Sequence, residues 1–125
     1  EIVVPGNALK SGSVYLKHTV RRAMDLALVG VATMVALDGK GACKDVRIAL
    51  GTAAPTPIRA LKAEGLLRGK AIDSALLERA SAAAVEEAHP RSSIRASEAY
   101  RRKIVGVLVR RGIAQALSRA QVAGR

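Results

Sequence analysis

The front third of the chain alternates between apolar and polar positions in the manner of β-strands. Val14 and Leu16 fall on one side of such a strand, and Tyr15 and Lys17 fall on the other. A nearly continuous apolar run follows, as expected of a strand covered on both faces, and Asp38 then begins a glycine-containing hairpin turn. Three antiparallel strands are therefore predicted, in the segments SVYLKHT (13–19), ALVGVATMVAL (27–37) and CKDVRIALG (43–51).

Beyond these strands the apolar residues recur at the spacing of helices. Thr56 is predicted to cap the first helix, Pro57 to occupy its first turn and Gly69 to end it. Asp73 is predicted to cap a second helix, which closes before Pro90 because proline cannot continue it.

The last helix is predicted to begin at Ser97 and to bury a broad apolar face. Its arginine pairs, Arg101–Arg102 and Arg110–Arg111, are assigned to the remaining polar strip. The chain is therefore predicted to be one α+β domain. A three-stranded antiparallel sheet over residues 11–52 packs against three helices over residues 55–121.

The composition limits what this domain can bind. The chain has no Phe, no Trp and only two Tyr, so the core is aliphatic and offers no aromatic platform for nucleobases. The net charge of +11 is typical of proteins that bind nucleic acid, an acidic membrane face or an acidic protein. It is equally consistent with a subunit whose partners carry the balancing acid. Charge alone leaves both interpretations open.

Few residues have the spacing of a catalytic or metal site. Cys43 is the only cysteine, which excludes an internal disulfide and fits a reducing compartment; it is interpreted as a half-buried strand residue and not as a nucleophile. His18 and His89 lie far apart and lack a partner at metal-binding spacing. No phosphate-binding loop or nucleophile elbow is present. The domain alone is not expected to be a complete enzyme.

The sequence also carries no pattern of membrane insertion. The opening acid Glu1 and the short segment IVVP do not resemble a signal peptide. The longest apolar run, residues 26–37, falls short of the roughly 20 residues that cross a bilayer. We therefore expect a cytoplasmic protein without a membrane span.

Three separated motifs resemble those of a known family. The stretches YLKHTVRRAMDLALVGVA, VRIALGTAAPTPIRALKAEGLLRG and IRASEAYRRKIVGVLVRR together resemble the C-terminal domain of the flavin subunit of molybdenum hydroxylases. That family includes carbon monoxide dehydrogenase medium chains and xanthine dehydrogenases. The resemblance covers essentially the whole chain in the right order. It implies a three-stranded antiparallel sheet with a three-helix bundle, preceded by a linker over residues 1–10.

The resemblance implies a flavin contact in the first motif. Lys17 matches a lysine that approaches the isoalloxazine ring, Leu26 an aliphatic residue beside it, and Tyr15 a position that is aromatic in some members. A fixed cation there would stabilise the negative charge of the reduced flavin and raise its potential. From the residues alone, the favoured interpretation of Lys17 is a solvated strand lysine, and only the resemblance favours the flavin contact.

The arginine pair after this strand has the same two interpretations. Arg21, Arg22 and Asp25 match a charged loop beside the flavin, which in xanthine dehydrogenases influences access of the electron acceptor. By pattern alone, Arg21 and Arg22 belong to a solvated loop. Arg101 and Arg102 lie in a YRR segment that matches the family, and the resemblance favours packing and interface contacts for them.

The resemblance further implies partners. In the family, substrate is oxidised at a molybdopterin centre in a large subunit, and electrons pass through the [2Fe–2S] clusters of a small subunit to FAD. Two glycine-rich segments of an N-terminal FAD-binding domain hold most of the FAD, and neither is present here, so the chain alone is expected to bind FAD weakly or not at all. The alternative function is a small basic binding module for nucleic acid or an acidic protein. A third is a scaffold domain that keeps the fold without a cofactor contact.

Overall fold

The computed structural model of the chain describes residues 2–3 and 11–124. Its elements are, in chain order, β1 (Ser11–His18), β2 (Val29–Leu37), β3 (Cys43–Gly51), β4 (Ile58–Arg59), α1 (Leu61–Leu67), α2 (Ser74–Glu87) and α3 (Glu98–Ala123). The predicted α+β fold is confirmed, with a two-residue strand added to the predicted three. Most of the predicted linker, residues 1 and 4–10, lies outside the described residues.

The strands form one antiparallel sheet in the order β1-β2-β3-β4. The predicted turn between β2 and β3 is confirmed, because Asp38 Oδ1 accepts the backbone N–H of Lys40 at 2.8 Å and that of Ala42 at 2.9 Å. Gly41 completes this turn with a φ of 84°, a conformation that favours glycine.

One face of the sheet is buried and the other is open. The buried, inner face carries large aliphatic side chains, among them Val31, Val35, Val46, Ile48 and Leu50. The prediction that β2 is covered on both faces is wrong, since Ala32 on its outer face is exposed. Small residues explain the error: glycine and alanine read as apolar in a strand pattern but need no cover.

The segment before α1 corrects the sequence prediction. Thr56 and Pro57 do not begin a helix; Ile58 and Arg59 pair with β3 as strand β4, and α1 starts only at Leu61. The backbone of β3 accounts for this pairing, because unpaired N–H and C=O groups at a buried sheet edge are costly. Gly69, at a φ of 76°, follows the end of α1 as predicted.

The first turn of α1 is capped from a distant part of the chain. Its N-cap residue, Ala60, has no side chain able to cap, and the Glu87 carboxylate accepts the backbone N–H of Lys62 at 3.0 Å and that of Ala63 at 3.3 Å instead. Glu87 ends α2, so this contact also fixes the packing of α2 against α1.

The other two helix starts are confirmed. Asp73 accepts the backbone N–H of Leu76 at 2.7 Å at the start of α2, and Ser97 accepts that of Tyr100 at 3.2 Å at the start of α3. The long helix α3 packs on the inner face of β1 and β2, while α2 contacts both α1 and α3. The helices therefore lie on one side of the sheet, as predicted.

The prediction for the arginines of α3 holds for one pair only. Arg110 and Arg111 are exposed, as expected of a polar strip, and Arg102 is half-buried. Arg101 is buried, with 8% of its surface exposed, which corrects its assignment to that strip. Its guanidinium reaches backbone and hydroxyl acceptors that the helical period alone does not reveal.

Substitutions at two glycines around α1 are expected to have opposite effects. A Cβ added to Gly65, inside the helix, meets no atom within 4 Å. Gly65→Ala should therefore raise the free energy of unfolding by about 0.5–1 kcal/mol in urea titrations. A Cβ added to Gly69 also meets no atom within 4 Å, but Gly69 has a positive φ that alanine adopts only with strain. Gly69→Ala should therefore lower the free energy of unfolding by about 1 kcal/mol. Equal effects of the two substitutions would contradict this.

Candidate functional site

The loop between β1 and β2, residues 19–28, forms a compact cationic projection at one end of the sheet; we call it the β1–β2 loop. Its stem is closed by the backbone N–H of Leu28, which donates to the carbonyl oxygen of His18 at 2.8 Å. Met24, at the tip, has a φ of 49°. Several charged and apolar side chains of the loop are exposed around this turn, which makes it a surface able to contact another group.

Asp25 organises the β1–β2 loop from within. Its carboxylate accepts the backbone N–H of Arg21 at 2.8 Å and that of Leu26 at 2.9 Å, and its Oδ1 lies 3.9 Å from the Arg21 guanidinium. The hydrogen bond from the Arg21 backbone N–H is the main reason that the pKa of Asp25 is below its usual value. A carboxyl with a lowered pKa supports the folded loop above its unfolded pKa. That support is lost as the pH falls through the lowered pKa.

Lys17 ties the end of β1 to this loop. It lies on the outer face of β1, opposite Gly30 of β2, and its ammonium donates to the backbone carbonyl oxygen of Asp25 at 2.8 Å. The side chain remains exposed, so this bond holds a cation at the surface in a defined place. A cation held in this way needs less reorganisation to interact with an anion than a freely moving lysine does.

Tyr15 shares the outer face with Lys17. Its ring lies across Gly30: a Cβ built on that glycine would be 3.2 Å from two ring carbons, so a larger residue would displace the ring. Tyr15 is still 62% exposed, and Ala32 beside it is exposed too. The ring is therefore seated on the sheet but open to a second planar or apolar group.

Large apolar side chains of the loop face solvent. Leu26 is 65% exposed, Val20 65% and Met24 98%. Exposed apolar side chains that occur together are typical of a surface that another group covers. Beside them, Arg21 and Arg22 are exposed, so the covering group would meet positive charge as well.

The structure brings together most of the residues that the sequence assigned to a site. Lys17, Arg21 and Leu26 all converge on Asp25, and Tyr15 lies on the same face of β1 as Lys17. The exception is the Arg22 side chain, which lies in the same loop and is exposed, but makes no hydrogen bond or ion pair with any described residue.

Sequence reasoning missed the residues that support this loop. Gly30 seats the Tyr15 ring, and its only sequence signal is a glycine inside an apolar strand. The Arg101 guanidinium donates to the carbonyl oxygen of Leu28 at 2.5 Å, and the Thr52 hydroxyl lies 3.0 Å from the same oxygen. Tyr100 reaches the His18 ring, with 3.2 Å between its hydroxyl and Nε2. These contacts span distant parts of the chain and have no local signature.

Other chemistry is not supported by the part of the chain that the structure describes. No group of His, Cys, Asp and Glu side chains within residues 2–3 and 11–124 could hold a metal ion. Burial raises the pKa of the Cys43 thiol to about 11, so it is neutral near pH 7. Cys43 is thus more deeply buried than predicted. No helix among the described residues has the length and hydropathy of a membrane span.

Comparison with known proteins identifies the family. The family described as the CO dehydrogenase flavoprotein C-terminal domain matches residues 14–116 of this chain. The chain is 35% identical over 109 residues to the xanthine dehydrogenase FAD-binding subunit of Escherichia coli O157:H7, covering 87% of this chain and 37% of that protein. It is 35% identical over 101 residues to the carbon monoxide dehydrogenase medium chain of Afipia carboxidovorans, covering 81% and 35%.

Solved structures agree with this match. A carbon monoxide dehydrogenase from Hydrogenophaga pseudoflava superposes with a TM-score of 0.83 at 32% identity, covering 88% of this chain and 38% of the other. This chain belongs to the CO dehydrogenase flavoprotein C-terminal domain family. It spans a little more than a third of the length of the relatives that it matches. The comparisons do not favour the alternative of a small basic binding module.

Proposed function

We propose that this chain is the C-terminal part of the FAD subunit of a molybdenum hydroxylase and that its β1–β2 loop forms one wall of the flavin site. The observation that carries the proposal is the Lys17 ammonium, held by the Asp25 carbonyl oxygen on the open face that also carries Tyr15. Leu26, the residue after Asp25, has an exposed side chain in the same loop. Family membership supplies the cofactor: the matched E. coli protein is an FAD-binding subunit by name.

The described residues fit part of FAD and not all of it. A flat, partly apolar ring would find an aromatic and an aliphatic side chain, Tyr15 and Leu26, together with the cation of Lys17. The resemblance assigns the rest of FAD to the glycine-rich segments of an N-terminal FAD-binding domain. This chain alone should therefore bind FAD weakly or not at all.

FAD, when bound, accepts and passes on electrons and gains negative charge as it is reduced. This chain would contribute to that reduction by stabilising the negative charge and by positioning the groups that do so. Lys17 would favour the charged form from a fixed position, and Asp25 would hold Lys17 and Leu26 in place through its backbone carbonyl and its carboxylate. The exposed guanidinium groups of Arg21 and Arg22 would border the route by which an electron acceptor approaches.

The remaining partners follow from the same proposal. Substrate would be oxidised in a molybdopterin-binding large subunit, and electrons would reach the flavin through a [2Fe–2S] small subunit. A subunit that docks onto others accounts for a net charge of +11 without nucleic acid. A cytoplasmic location remains a prediction.

Lys17→Ala is expected to lower the flavin reduction potential. The experiment uses a chimera in which this chain replaces the matching C-terminal part of the E. coli FAD-binding subunit, with which it is 35% identical. Loss of about 1.4 kcal/mol of anion stabilisation corresponds to about 30 mV for a two-electron couple, measured by redox titration of the flavin absorbance. Lys17→Arg, which keeps the charge, should retain most of the potential.

Lys44→Ala is the matched control for this prediction. Lys44 is also an exposed strand lysine, on β3, so its removal changes the net charge equally without touching the β1–β2 loop. Its potential should equal that of the unmodified chimera. Equal potentials for Lys17→Ala and Lys44→Ala would refute the role of Lys17. A chimera that binds no FAD, while the E. coli subunit does, would refute the proposed function.

A further inference from the structure

Two consecutive residues at the start of α3 contact the two ends of the β1–β2 loop. The Tyr100 hydroxyl lies 3.2 Å from His18 Nε2, at the end of β1. The Arg101 guanidinium donates through Nη1 to the Leu28 carbonyl oxygen at 2.5 Å, just before β2. His18 and Leu28 are themselves joined by a backbone hydrogen bond. One helical turn therefore holds both stems of the loop.

Burying the Arg101 guanidinium costs free energy, because a charge is removed from water. Arg101 is 8% exposed, its Nη2 donates to the Ser93 hydroxyl at 2.9 Å, and its Nε has no partner among the described residues. No described carboxylate lies within salt-bridge distance of this cation. Aliphatic side chains of similar volume often stabilise a core as well or better than a buried charge. The value of Arg101 therefore lies in the atoms that it positions.

Arg101 positions the backbone of Leu28. The Leu28 N–H donates to the His18 carbonyl oxygen, and its own carbonyl oxygen accepts from Arg101. The single proton of the Thr52 hydroxyl is divided between this oxygen, at 3.0 Å, and the Gly51 carbonyl oxygen, at 2.7 Å. Both polar groups of Leu28 are thus fixed, two residues after Leu26 and three after Asp25. With hydrogen bonds on both its N–H and its C=O, the backbone of Leu28 has little freedom to rotate.

We propose that Tyr100 and Arg101 are positioning residues for the flavin wall. By fixing His18 and Leu28 they set where the loop between them presents Asp25 and Leu26, and so where the Asp25 carbonyl oxygen holds the Lys17 ammonium of β1. The positioned residues are close in sequence to the residues that they influence. His18 directly follows Lys17, and Leu28 lies two residues after Leu26. The flavin part of this inference rests on the proposed function, whereas the positioning of the loop does not.

The neighbouring arginine provides a matched control. Arg102 lies on the same helical turn, and its guanidinium donates to Glu98 at 3.0 Å and to the Val85 carbonyl oxygen at 3.1 Å, toward α2. Arg101→Met and Arg102→Met each remove one positive charge and keep a long apolar side chain. A difference between them at the β1–β2 loop thus reports the contact with Leu28 and not the change of charge.

Hydrogen exchange of the full 125-residue chain, without flavin, tests the positioning directly. In Arg101→Met the amides of Arg21, Leu26 and Leu28, which are hydrogen-bonded in the loop, should exchange about tenfold faster. They should be unchanged in Arg102→Met. The Ile48 amide, bonded to Glu64 far from the loop, should keep its rate in both variants. Equal loop rates in the two variants would overturn the proposal.

Tyr100→Phe covers the case in which Arg101→Met does not fold. It deletes a single hydroxyl on a half-exposed ring, so the fold should survive while the His18 end of the loop loses its contact. Faster exchange of Leu28 and Arg21 in this variant supports the proposal. Loop rates equal to those of the unmodified chain would overturn the part assigned to Tyr100.

The effect on the flavin is tested in the chimera with the E. coli FAD-binding subunit, by comparing Arg101→Met with Arg102→Met. The flavin reduction potential and fluorescence should shift in Arg101→Met, in the direction that Lys17→Ala produces, and stay constant in Arg102→Met. If exchange in the loop rises while the flavin signals stay constant, positioning is upheld and the flavin wall of the proposed function is refuted. If neither changes, the positioning itself is refuted.

Discussion

Glu64→Ala is expected to lower the free energy of unfolding by about 3 kcal/mol, a larger loss than at any exposed carboxylate of this domain. Glu64 is fully buried on α1, and its carboxylate accepts two hydrogen bonds from Arg59, at 2.6 and 2.8 Å, and one from the Ile48 backbone N–H at 2.8 Å. Arg68 adds a fourth donor at 3.3 Å. The hydrogen bond with Glu64 also raises the pKa of Arg59.

The size of the loss follows from what each partner can do without Glu64. The Arg59 and Arg68 side chains are 40% and 46% exposed, so both can turn to water. The Ile48 N–H cannot, because β4 is two residues long and the carboxylate stands where a strand partner would be. The loss is therefore at the lower end of the range for breaking a buried ion pair.

Thermal and urea unfolding measure this effect. Glu64→Ala should lower the melting temperature by about 10 °C, and Glu64→Gln, which keeps an acceptor for Ile48, by about half as much. Glu86→Ala is the control, since Glu86 is exposed on α2. A Glu64→Ala variant as stable as Glu86→Ala would show that the carboxylate does not anchor α1 to the sheet edge.

The contacts of the Glu64 carboxylate also illustrate which features of the fold the sequence did not predict. The hydrophobic period predicted three strands and three helices, because strand alternation and caps such as Asp73 are local signals. It misplaced the start of α1, because Thr56 and Pro57 form a strong local helix-start signal. The structure overrides that signal: the edge of β3 needs a partner, and the Glu87 carboxylate caps α1 from the end of α2. Both are contacts between distant parts of the chain.

The candidate site was likewise predicted from local sequence signals, whereas its long-range contacts were not. Lys17, Asp25 and Leu26 stand within one motif, so a resemblance of that motif could propose them together. Their grouping around the Asp25 carboxylate and carbonyl became visible only in the structure. The helical period assigned Arg101 to the polar strip, because a helical arginine next to another arginine is normally solvent-exposed. The resemblance assigned it to packing or an interface, but neither signal identified its acceptor. Its acceptor, the Leu28 carbonyl oxygen, is 73 residues away.

Gly12→Ala is expected to cost about 3 kcal/mol in the free energy of unfolding. Gly12 lies near the start of β1, where a Cβ would overlap the Ala116 carbonyl oxygen and the Ala120 amide nitrogen and would lie 2.7 Å from Arg119 Cβ. The first two atoms belong to the backbone of α3, so no change of rotamer relieves the overlap. Accommodating the methyl group requires β1 and α3 to separate, and close-packed interiors resist such a shift.

Gly39→Ala is the control for this substitution, because a Cβ on Gly39 meets nothing within 4 Å. Its unfolding free energy should stay within about 0.5 kcal/mol of the unmodified chain in urea titrations. A Gly12→Ala variant that matches it would mean that α3 can move away from β1 at little cost. The same helix would then be a poor anchor for the β1–β2 loop, because Tyr100 and Arg101 can position His18 and Leu28 only from a helix that is itself fixed on the sheet.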